Sequence, residues 1–462
     1  MKQKNCLLFV LVLCLAFTLQ TNAETIKYFA AIDFENKGYK DFQAAHPDVA
    51  FEESGIFYNT TGEFAGALLT KEFTSDLFSL DTYFYYCQQI MKKGFCVDLS
   101  GSEVIRDAVS RMHPLIAAQA MVDGKIYGVP HGISFYYTQI NQEGWTAADL
   151  TEEDIPDSFP ALLDFLERWC ERVEASQEQN IRLKLSWVSE LYNKYSYTAW
   201  LTELLIDSYI MQLQFANESL RFNDPELSAL LERCKVVGAR IYDVEPRMDS
   251  SGARPGEYQL FEVGPQGGWP QKSADILCFR LNDAQPKMIK ASLDMYAVNP
   301  NSSIPGLCVE LLEKLVIGPE NPNSVKRALL YQGAEPIINP NYENDLKHWS
   351  GRITAFEEQL KNPNLTLDQR LEIKDQLKSS EYYLAYALTD KGKYYMSPAQ
   401  LEDYNTYVDA LYFPAPSVFN GSTETLSTLW SSEKQYASGL LTIERFLSEL
   451  DRMAHMIEME NE

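Results

Sequence analysis

Acidic and aromatic residues follow three apolar segments of the sequence, in positions suited to a polar ligand. Asp33 and Glu35 follow TIKYFAAI. Asp81 and Tyr83 end SDLFSLDTY, and Trp187 ends IRLKLSW. A carboxylate beside an aromatic ring suits a ligand that has both polar groups and apolar faces. Without a ligand role, the carboxylates would be solvated and the tryptophan would lie in the core.

A second set of polar residues lies within one segment, DGKIYGVPHGISFYYTQ. His131, Ser134 and Tyr136 fall in a predicted strand that begins near Pro130, a residue that fixes φ and lacks an N–H. Each would contact a ligand or face the buried side of that strand. A serine without an adjacent base is unreactive, and the chain has no G-x-S-x-G elbow. The sequence therefore predicts polar lining here and no enzyme.

The cysteines and histidines form no recognisable metal motif. No CxxC spacing occurs among the eight cysteines, and the five histidines include no HExxH pair. We therefore expect no metal site and no cofactor. Cys87 and Cys96 are close enough in sequence to form a disulfide, or they are two buried free thiols.

The composition limits the classes of partner. The chain has 462 residues, 45% of them hydrophobic, which is enough for two or three lobes. Its 40 Lys and Arg stand against 65 Asp and Glu, for a formal net charge of −25. A field of that sign repels nucleic-acid backbones and anionic lipid surfaces. Neither is expected as a partner.

The first 23 residues have the pattern of a signal peptide. Lys2 and Lys4 precede the uncharged run CLLFVLVLCLAFTL, and TNA then offers a cleavage site after Ala23. The apolar run is short for a membrane span. A lipid anchor at Cys14 is poorly supported, because the large Leu13 precedes it. The mature protein is therefore expected to be exported, to the periplasm, the cell surface or the medium.

Alternating strand and helix patterns predict an α/β fold. Strands are predicted over residues 25–32, 49–54 and 75–82, with helices over 36–49 and 63–73 between them. This order indicates a parallel sheet, and ligands bind such sheets beyond the carboxyl ends of the strands.

A second α/β unit is expected over residues 140–290. A helical hairpin is predicted over 344–387, interrupted at 362–366, because apolar residues recur there at helical spacing. Further helices are predicted over 104–121, 150–173 (capped by Ser158), 306–316 and from about Thr442, and further strands over 181–187, 274–281 and 289–300.

Taken in order, several segments resemble the extracellular solute-binding proteins of ATP-driven importers, in the branch related to maltodextrin-binding protein. The resemblance spans nearly the whole chain, and residues 344–387 look like an insertion in it. The matching pieces are the export signal, FQAAHPDVAFE, SDLFSLDTYF, KKGFCVDLSGS, DGKIYGVPHGISFYYTQIN, ASLDMYAVNPNSSIP and YASGLLTIERFLSELD.

This resemblance implies a two-lobe periplasmic-binding-protein-like fold of class II, with hinge crossings, the inserted hairpin and C-terminal helices. Lobe 1 would comprise residues 24–133 and 296–340, and lobe 2 residues 134–295 and 341–462. One crossing strand would follow YGVP, and others would fall near 290–298 and 336–345. The protein would close on a small solute, most simply an oligosaccharide, and deliver it as a monomer to the membrane subunits of an ABC transporter.

The resemblance also adds candidate contacts and competing functions. Trp269, in the loop segment FEVGPQGGWP, matches a position from which relatives present an aromatic platform to sugars, and Tyr412 and Trp430 lie where relatives add late contacts. A thiamin-cleaving transferase shares the fold, with a cysteine nucleophile where this chain has Ser134. Peptide or vitamin binding also stays open, as does a scaffold role without a ligand.

Overall fold

The protein is described here from a computed structural model. It describes residues 24–461 except 31, 55–57, 59–60, 83–84, 86, 177–180, 183–194, 217, 245–257, 264–268, 271, 278–279, 283–284, 318–324 and 414–422. The predicted signal peptide, Tyr83 and Trp187 lie outside these residues.

Strands and helices alternate over the first eighty residues, as predicted. The strands are β1 (Thr25–Phe29), β2 (Ala50–Glu53), β3 (Leu77–Asp81), β4 (Met121–Val122), β5 (Lys125–Ile126), β6 (Val129–Tyr136), β7 (Thr138–Ile140), β8 (Ile181–Arg182), β9 (Tyr258–Gln259), β10 (Phe261–Val263), β11 (Ile289–Val298), β12 (Ile337–Ile338), β13 (Tyr394–Met396) and β14 (Leu411–Tyr412).

Helices make up most of the remaining described structure. They are α1 (Lys37–Ala45), α2 (Thr61–Thr70), α3 (Cys87–Lys92), α4 (Glu103–Ser110), α5 (Pro114–Gln119), α6 (Gln142–Ala147), α7 (Phe159–Ser176), α8 (Ser196–Phe215), α9 (Pro225–Val244), α10 (Pro305–Ile317), α11 (Val325–Ala328), α12 (Tyr342–Leu360), α13 (Leu367–Ala387), α14 (Asp390–Lys393), α15 (Pro398–Tyr407), α16 (Thr423–Ala437) and α17 (Ile443–Asn461). No helix in the described part of the chain combines the length and apolar character needed to cross a bilayer.

The main sheet is mixed, and β11 is its central long strand. β1 pairs in parallel with β2 and with β3, as the β-α-β-α-β pattern predicted. β3 then pairs antiparallel with the second half of β11, and β6 runs antiparallel along the other edge of β11. β14 adds to the start of β11 in parallel. Segments from early, middle and late in the chain therefore meet at β11.

Three further predicted elements had mixed outcomes. The helix predicted over 104–121 is two short helices, α4 and α5, because Pro114 begins a new helix after His113. The strand predicted over 274–281 was wrong at its start, where Ser273–Asp275 forms a 3₁₀ turn. Ser158 caps α7 as expected, its hydroxyl accepting the Ala161 N–H at 3.3 Å.

Two buried clusters lie on opposite faces of the main sheet. We call one face of the sheet the back; it carries Phe135 and Leu293, which are at most 1% exposed. We call the opposite face the front; near β1 it carries Leu77 and Val298, which pack against Leu311 of α10. Burial of each such side chain stabilises the fold by roughly 1.5–3 kcal/mol. The front face at the start of β11 holds polar residues instead.

A third cluster joins the helices α7, α8, α9, α16 and α17. Leu166, Leu205, Leu231 and Phe446 are fully buried in it. This cluster is separate from the two that sandwich the main sheet, so α8 and α16 belong to a second body of packed structure.

The predicted helical hairpin is confirmed as α12 and α13. Thr366 caps α13 with a capping box, and no residue of α12 is buried. β12 and β13 pair antiparallel on either side of the hairpin and hold its base together.

The cysteines of the described structure are free thiols, including Cys87 and Cys96, both buried. The disulfide considered from the sequence is therefore wrong. Burial raises the pKa of both thiols. In the described residues, no group of His, Cys, Asp or Glu side chains is arranged to hold a metal ion.

Candidate functional site

Register places a row of polar residues on the front face of β6 and β11. Ser134 lies opposite Ser292, and Tyr136 lies opposite Lys290. Directly opposed residues on an antiparallel pair project to the same face, and residues two apart on a strand share it. We call the row the polar strip, and its members are Asp81, His131, Ser134, Tyr136, Lys290, Ser292, Asp294 and Tyr296.

A β-bulge brings His131 onto this strip. Gly132 pairs with Asp294 and Pro130 with Met295, so His131 is an extra residue on β6 at the point where the register shifts. Such a bulge reverses the phase of the side chains that follow it. As a result the partly exposed residues of β6 are His131, Ser134 and Tyr136, three and then two positions apart. His131 therefore faces the same way as Ser134.

His131 is held neutral at one end of the strip. Its ring stacks on Tyr296 with centroids 3.8 Å apart and planes 13° apart. Burial, with the charges of Arg327 and Lys326, lowers the pKa of His131 to about 3. Its buried Nε2 has no hydrogen-bond partner among the described residues. A neutral imidazole nitrogen here is available to a ligand hydroxyl.

Ser134 is bound by a lysine from a different element. The Lys326 ammonium of α11 donates to the Ser134 hydroxyl oxygen at 2.9 Å. Ser134 and Lys326 thus form a serine–lysine pair at hydrogen-bond distance. The same lysine acts on Asp294, whose pKa is raised by burial and lowered in part by Lys326.

At its opposite end the strip meets α8. Lys290 pairs with Asp207 of that helix at 3.4 Å, and the Tyr136 hydroxyl accepts from Ser292 at 3.3 Å. Tyr412, in register beside Lys290, donates to Gln214, also on α8. The sheet and the second helical body therefore meet along the strip.

Carboxyl groups from two helices converge beyond Lys290. Glu203 lies one turn before Asp207 on α8, and Trp430 of α16 hydrogen-bonds to the Glu203 carboxylate. Trp430 is 46% exposed, so part of its ring is open to solvent. Glu433 lies on the same helix as Trp430. We call Glu203, Asp207, Trp430 and Glu433 the acidic end.

The acidic end holds carboxyl groups that resist ionisation. Burial raises the pKa of Glu203 to about 7, and the Asp207 charge adds to the rise. Glu433 is 3% exposed, and its Oε1 has no hydrogen-bond partner in the described structure. Burial first, then the charges of Glu203 and Asp207, raise the pKa of Glu433 well above its usual range. Glu433 therefore resists ionisation more strongly than an exposed carboxyl group does.

The N-terminal acidic candidates lie in solvent. Asp33 and Glu35 are both exposed. Glu35 forms an ion pair with Lys40 at 2.6 Å, and the Asp33 carboxylate accepts the Glu35 N–H at 3.0 Å. Glu35 is therefore solvated in this conformation, and its role as a ligand contact stays a prediction. Asp33 is near enough to the strip to raise the pKa of Tyr296 through its charge.

Trp269 lies behind the sheet, away from the polar strip. It is 4% exposed, and its ring packs edge-on against Phe135 at 5.1 Å and Tyr404 at 5.0 Å. Its indole N–H donates to Asp403 at 2.8 Å. The expected aromatic platform is therefore not available at this position in this conformation, because both packing and hydrogen bonding of the ring are complete. As a ligand contact it stays a prediction.

Sequence reasoning missed Lys326, Glu203, Asp207 and Glu433. One signal was available: two carboxylates four residues apart in the otherwise apolar stretch AWLTELLIDSYIMQLQF. Lys326 and Glu433 gave none, because each reaches the site through a contact with an element distant in sequence. Trp430, first noted only through the resemblance, proved to lie at the acidic end.

Comparisons with known proteins bear on the fold. No family model matches the chain, and no curated protein matches it in sequence. The solved structures that it resembles include the galacto-N-biose/lacto-N-biose I-binding protein of the ABC transporter from Bifidobacterium longum, in complex with lacto-N-biose. That structure is 11% identical, with 95% of this chain and 97% of that chain covered and a TM-score of 0.51.

A second similar structure is an ABC substrate-binding protein from Listeria monocytogenes in complex with cycloalternan. It is 15% identical, with 94% of this chain and 99% of that chain covered and a TM-score of 0.50. Structural similarity at such low identity supports the fold. The ligand has to be inferred from the residues of this chain. The chain has the two-lobe α/β fold of the solute-binding proteins of ABC transporters, as its sequence predicted.

Proposed function

We propose that the protein captures a small solute, most simply an oligosaccharide, between its two lobes and delivers it to an ABC transporter. The observation that carries this proposal is the continuous polar strip, which runs from His131 along β6 and β11 to the carboxyl groups of α8 and α16. Hydroxyl, carboxylate, ammonium and aromatic groups alternate along it, which suits a ligand that alternates hydroxyls with apolar faces.

The lobe boundaries belong to the same proposal. We assign residues 24–133 and 296–340 to one lobe and 134–295 and 341–462 to its partner lobe, with β6 and β11 as crossing strands. The separate helical cluster of α7, α8, α9, α16 and α17 supports a second lobe on the far side of the strip. A ligand bound by both the strip and the acidic end would favour the closed state.

Export and partners are part of the proposal too. We assign residues 1–23 as a signal peptide and expect a monomer that contacts transporter membrane subunits. The similar solved structures are named as ABC-transporter binding proteins, which supports a transporter partner. Their names describe them as binding proteins, which supports binding without catalysis for this chain.

A thermal-shift screen over sugars, peptides and vitamins tests the function. We expect oligosaccharides to give the largest shift, followed by calorimetric titration of the best of them. Tyr136→Phe should weaken that titration, whereas the matched change Tyr382→Phe, on the exposed face of α13, should leave it unchanged. A best hit among peptides or vitamins would replace the sugar. No hit in any class would favour a scaffold role.

Two further measurements complete the test. Solution scattering should show a smaller radius of gyration with the best ligand than without it. Recovery of the ligand after incubation should return the same compound, whereas a converted product that disappears in Ser134→Ala would establish an enzyme.

A further inference from the structure

The charges at the acidic end do not balance. Glu203, Asp207 and Glu433 supply three carboxyl groups, whereas the lysines that act on them in the described structure are two, Lys290 and Lys434. Lys290 is already paired with Asp207 at 3.4 Å. Without a third positive charge, ionisation of all three carboxyl groups is disfavoured, because their negative charges repel one another.

Glu433 is the carboxyl group most affected by this shortage of positive charge. It is only 3% exposed, and its Oε1 lacks a hydrogen-bond partner in the described structure. The charges that act on it most are those of Glu203 and Asp207 on the facing helix. A buried acceptor without a donor is costly, by roughly 1–3 kcal/mol, and a ligand donor would remove that cost. The cluster thus contains both the charge and the unpaired oxygen that a bound cation would satisfy.

We propose that the acidic end is a subsite for a saccharide that carries a free ammonium group, an amino sugar. This inference rests on the proposed function. The ammonium takes the place of the proton on Glu433, with the carboxylates of Glu203 and Asp207 beside it. Deprotonation of Glu433 releases that proton to solvent as the ammonium binds.

The surroundings select a sugar amine over a bare metal ion. Trp430 presents a ring that is 46% exposed beside the Glu203 carboxylate, and an aromatic face suits a sugar ring or a cation. In the described part of the chain, no set of side chains is arranged as metal ligands. The polar strip provides hydroxyl and carboxylate partners for the neutral sugar units that follow. The net charge of −25 attracts a cationic ligand over a distance.

Three tetrasaccharides with one backbone separate the amine from the rest of the sugar. Tetraglucosamine, tetra-N-acetylglucosamine and cellotetraose share the β-1,4 linkage and carry an ammonium, an acetamide and a hydroxyl at C2. Isothermal titration at pH 7 should show tetraglucosamine binding at least about tenfold more tightly than cellotetraose, as hydrogen bonds to charged groups are the stronger ones. Titration at pH 5.5, where the sugar amines are ammonium groups, in two buffers of different ionisation enthalpy should report net proton release with tetraglucosamine and none with the two neutral sugars.

Matched variants assign the effect to the acidic end. Glu433→Gln replaces a protonated carboxyl by an amide of the same shape and should abolish both the preference and the proton release. Glu203→Gln, on an exposed position, serves if Glu433→Gln folds poorly, and it should reduce the preference. Glu372→Gln, on the exposed hairpin, is the charge-matched control and should change neither.

The outcomes distinguish this inference from the proposed function. A preference for tetraglucosamine that survives in both acidic-end variants overturns the inference, as does equal or weaker binding of the amine. If none of the three binds while another oligosaccharide from the broad screen does, the inference fails and the proposed function stands. If no carbohydrate of any kind binds, both fail.

Discussion

Strands β6 and β11 carry two faces of opposite character. Behind the sheet, Ile133, Phe135 and Leu293 are at most 1% exposed and pack in one apolar cluster. In front, Ser134 and Tyr136 are partly exposed and join a polar row. The two faces differ by single steps along the same strands, so side-chain alternation alone separates the packing of the fold from its candidate binding surface.

The two tryptophans near these faces show what that separation means. Trp269 lies behind, 4% exposed and hydrogen-bonded to Asp403, whereas Trp430 lies in front, 46% exposed and hydrogen-bonded to Glu203. Both indole N–H groups bind a carboxylate, and the difference is in the ring faces. Trp269 has its ring covered by aromatic neighbours, and Trp430 leaves part of its ring to a ligand. Residue type therefore says less about function here than the side of the sheet on which it lies.

The largest expected effect on stability comes from truncating Trp269, the tryptophan behind the sheet. Trp269→Ala should lower the free energy of unfolding by roughly 3–5 kcal/mol, because it opens a large cavity and removes the indole hydrogen bond to Asp403, which keeps only its bonds from Ser273. Trp430→Ala should lower it by less than about 1 kcal/mol, since that side chain is half exposed. Urea unfolding followed by circular dichroism measures both. Equal losses would contradict the assignment of the two faces.

The two tryptophans should rank in the opposite order when the affinity for ligand is measured. Trp430→Ala should weaken the best oligosaccharide found in the screen by about tenfold, because the ring face and its van der Waals contacts are lost. Trp269→Phe, which keeps an aromatic ring behind the sheet, should change affinity by less than about twofold while the protein remains folded. Calorimetric titration of both variants is the measurement. Loss of binding in Trp269→Phe but not in Trp430→Ala would show that Trp269 belongs to the ligand site.

Dependence on pH should appear in front of the sheet. The pKa of Glu203 is raised to about 7 and that of Glu433 well above its usual range, so the folded state holds protons that the unfolded state releases near pH 4–5. Their contribution to stability is fully present below that range and is lost as the pH rises through the raised values. Glu203 is the more exposed residue of the two, so the larger part is expected from Glu433.

The ligand-free protein should therefore melt at a lower temperature at pH 8 than at pH 5.5, and Glu433→Gln should remove most of that decrease. Differential scanning calorimetry across this pH range measures it. Lys290, Lys434 and Asp207 also face the pair with their charges, and Glu449 binds Ser432 beside it at 2.9 Å. An unchanged pH profile in Glu433→Gln would contradict the raised pKa.

A smaller effect is expected from changing Lys326, which contacts Ser134 in the polar strip. Lys326→Met removes the hydrogen bond to Ser134 at 2.9 Å. We expect about a fivefold loss of affinity, near the 1 kcal/mol of an ordinary hydrogen bond, with stability changed by less than about 0.5 kcal/mol because the lysine is exposed. Ser134→Ala should give a similar loss, and the double variant no more than either alone. An additive double variant would show that the two side chains bind the ligand separately.

Patterns local in sequence predicted much of this structure. The β-α-β-α-β order, the cap at Ser158 and the hairpin of α12 and α13 depend on periodicity and end signals within one element. The partly exposed positions of Ser134 and Tyr136 also follow from alternation along one strand. These features could be predicted because neighbours in sequence determine them.

Features that depend on contacts distant in sequence could not be predicted in the same way. The side of the sheet on which Trp269 lies depends on Tyr404 and Asp403, more than one hundred residues later. The bulge that turns His131 forward is visible only in its register with β11. Glu433 looks like an ordinary helical surface residue in the segment SSEK, and its burial follows from packing of α16 against α8.

The smallest effect should come from the hairpin, which lies apart from both faces. No residue of α12 is buried, and Trp349 stacks on Tyr383 of α13 at 4.7 Å, so the hairpin packs largely on itself. Replacing residues 344–386 by a short glycine-serine linker should change the affinity for the best ligand by less than about twofold. The antiparallel pairing of β12 with β13 should hold the ends together, because the linker only has to join strands that are already paired. A full-length variant with Tyr383→Ala is the control for local hairpin packing, and calorimetric titration compares the three proteins. A large loss of affinity in the excised protein but not in Tyr383→Ala would place the hairpin at the ligand, and the comparison of two faces would then have to include a third surface.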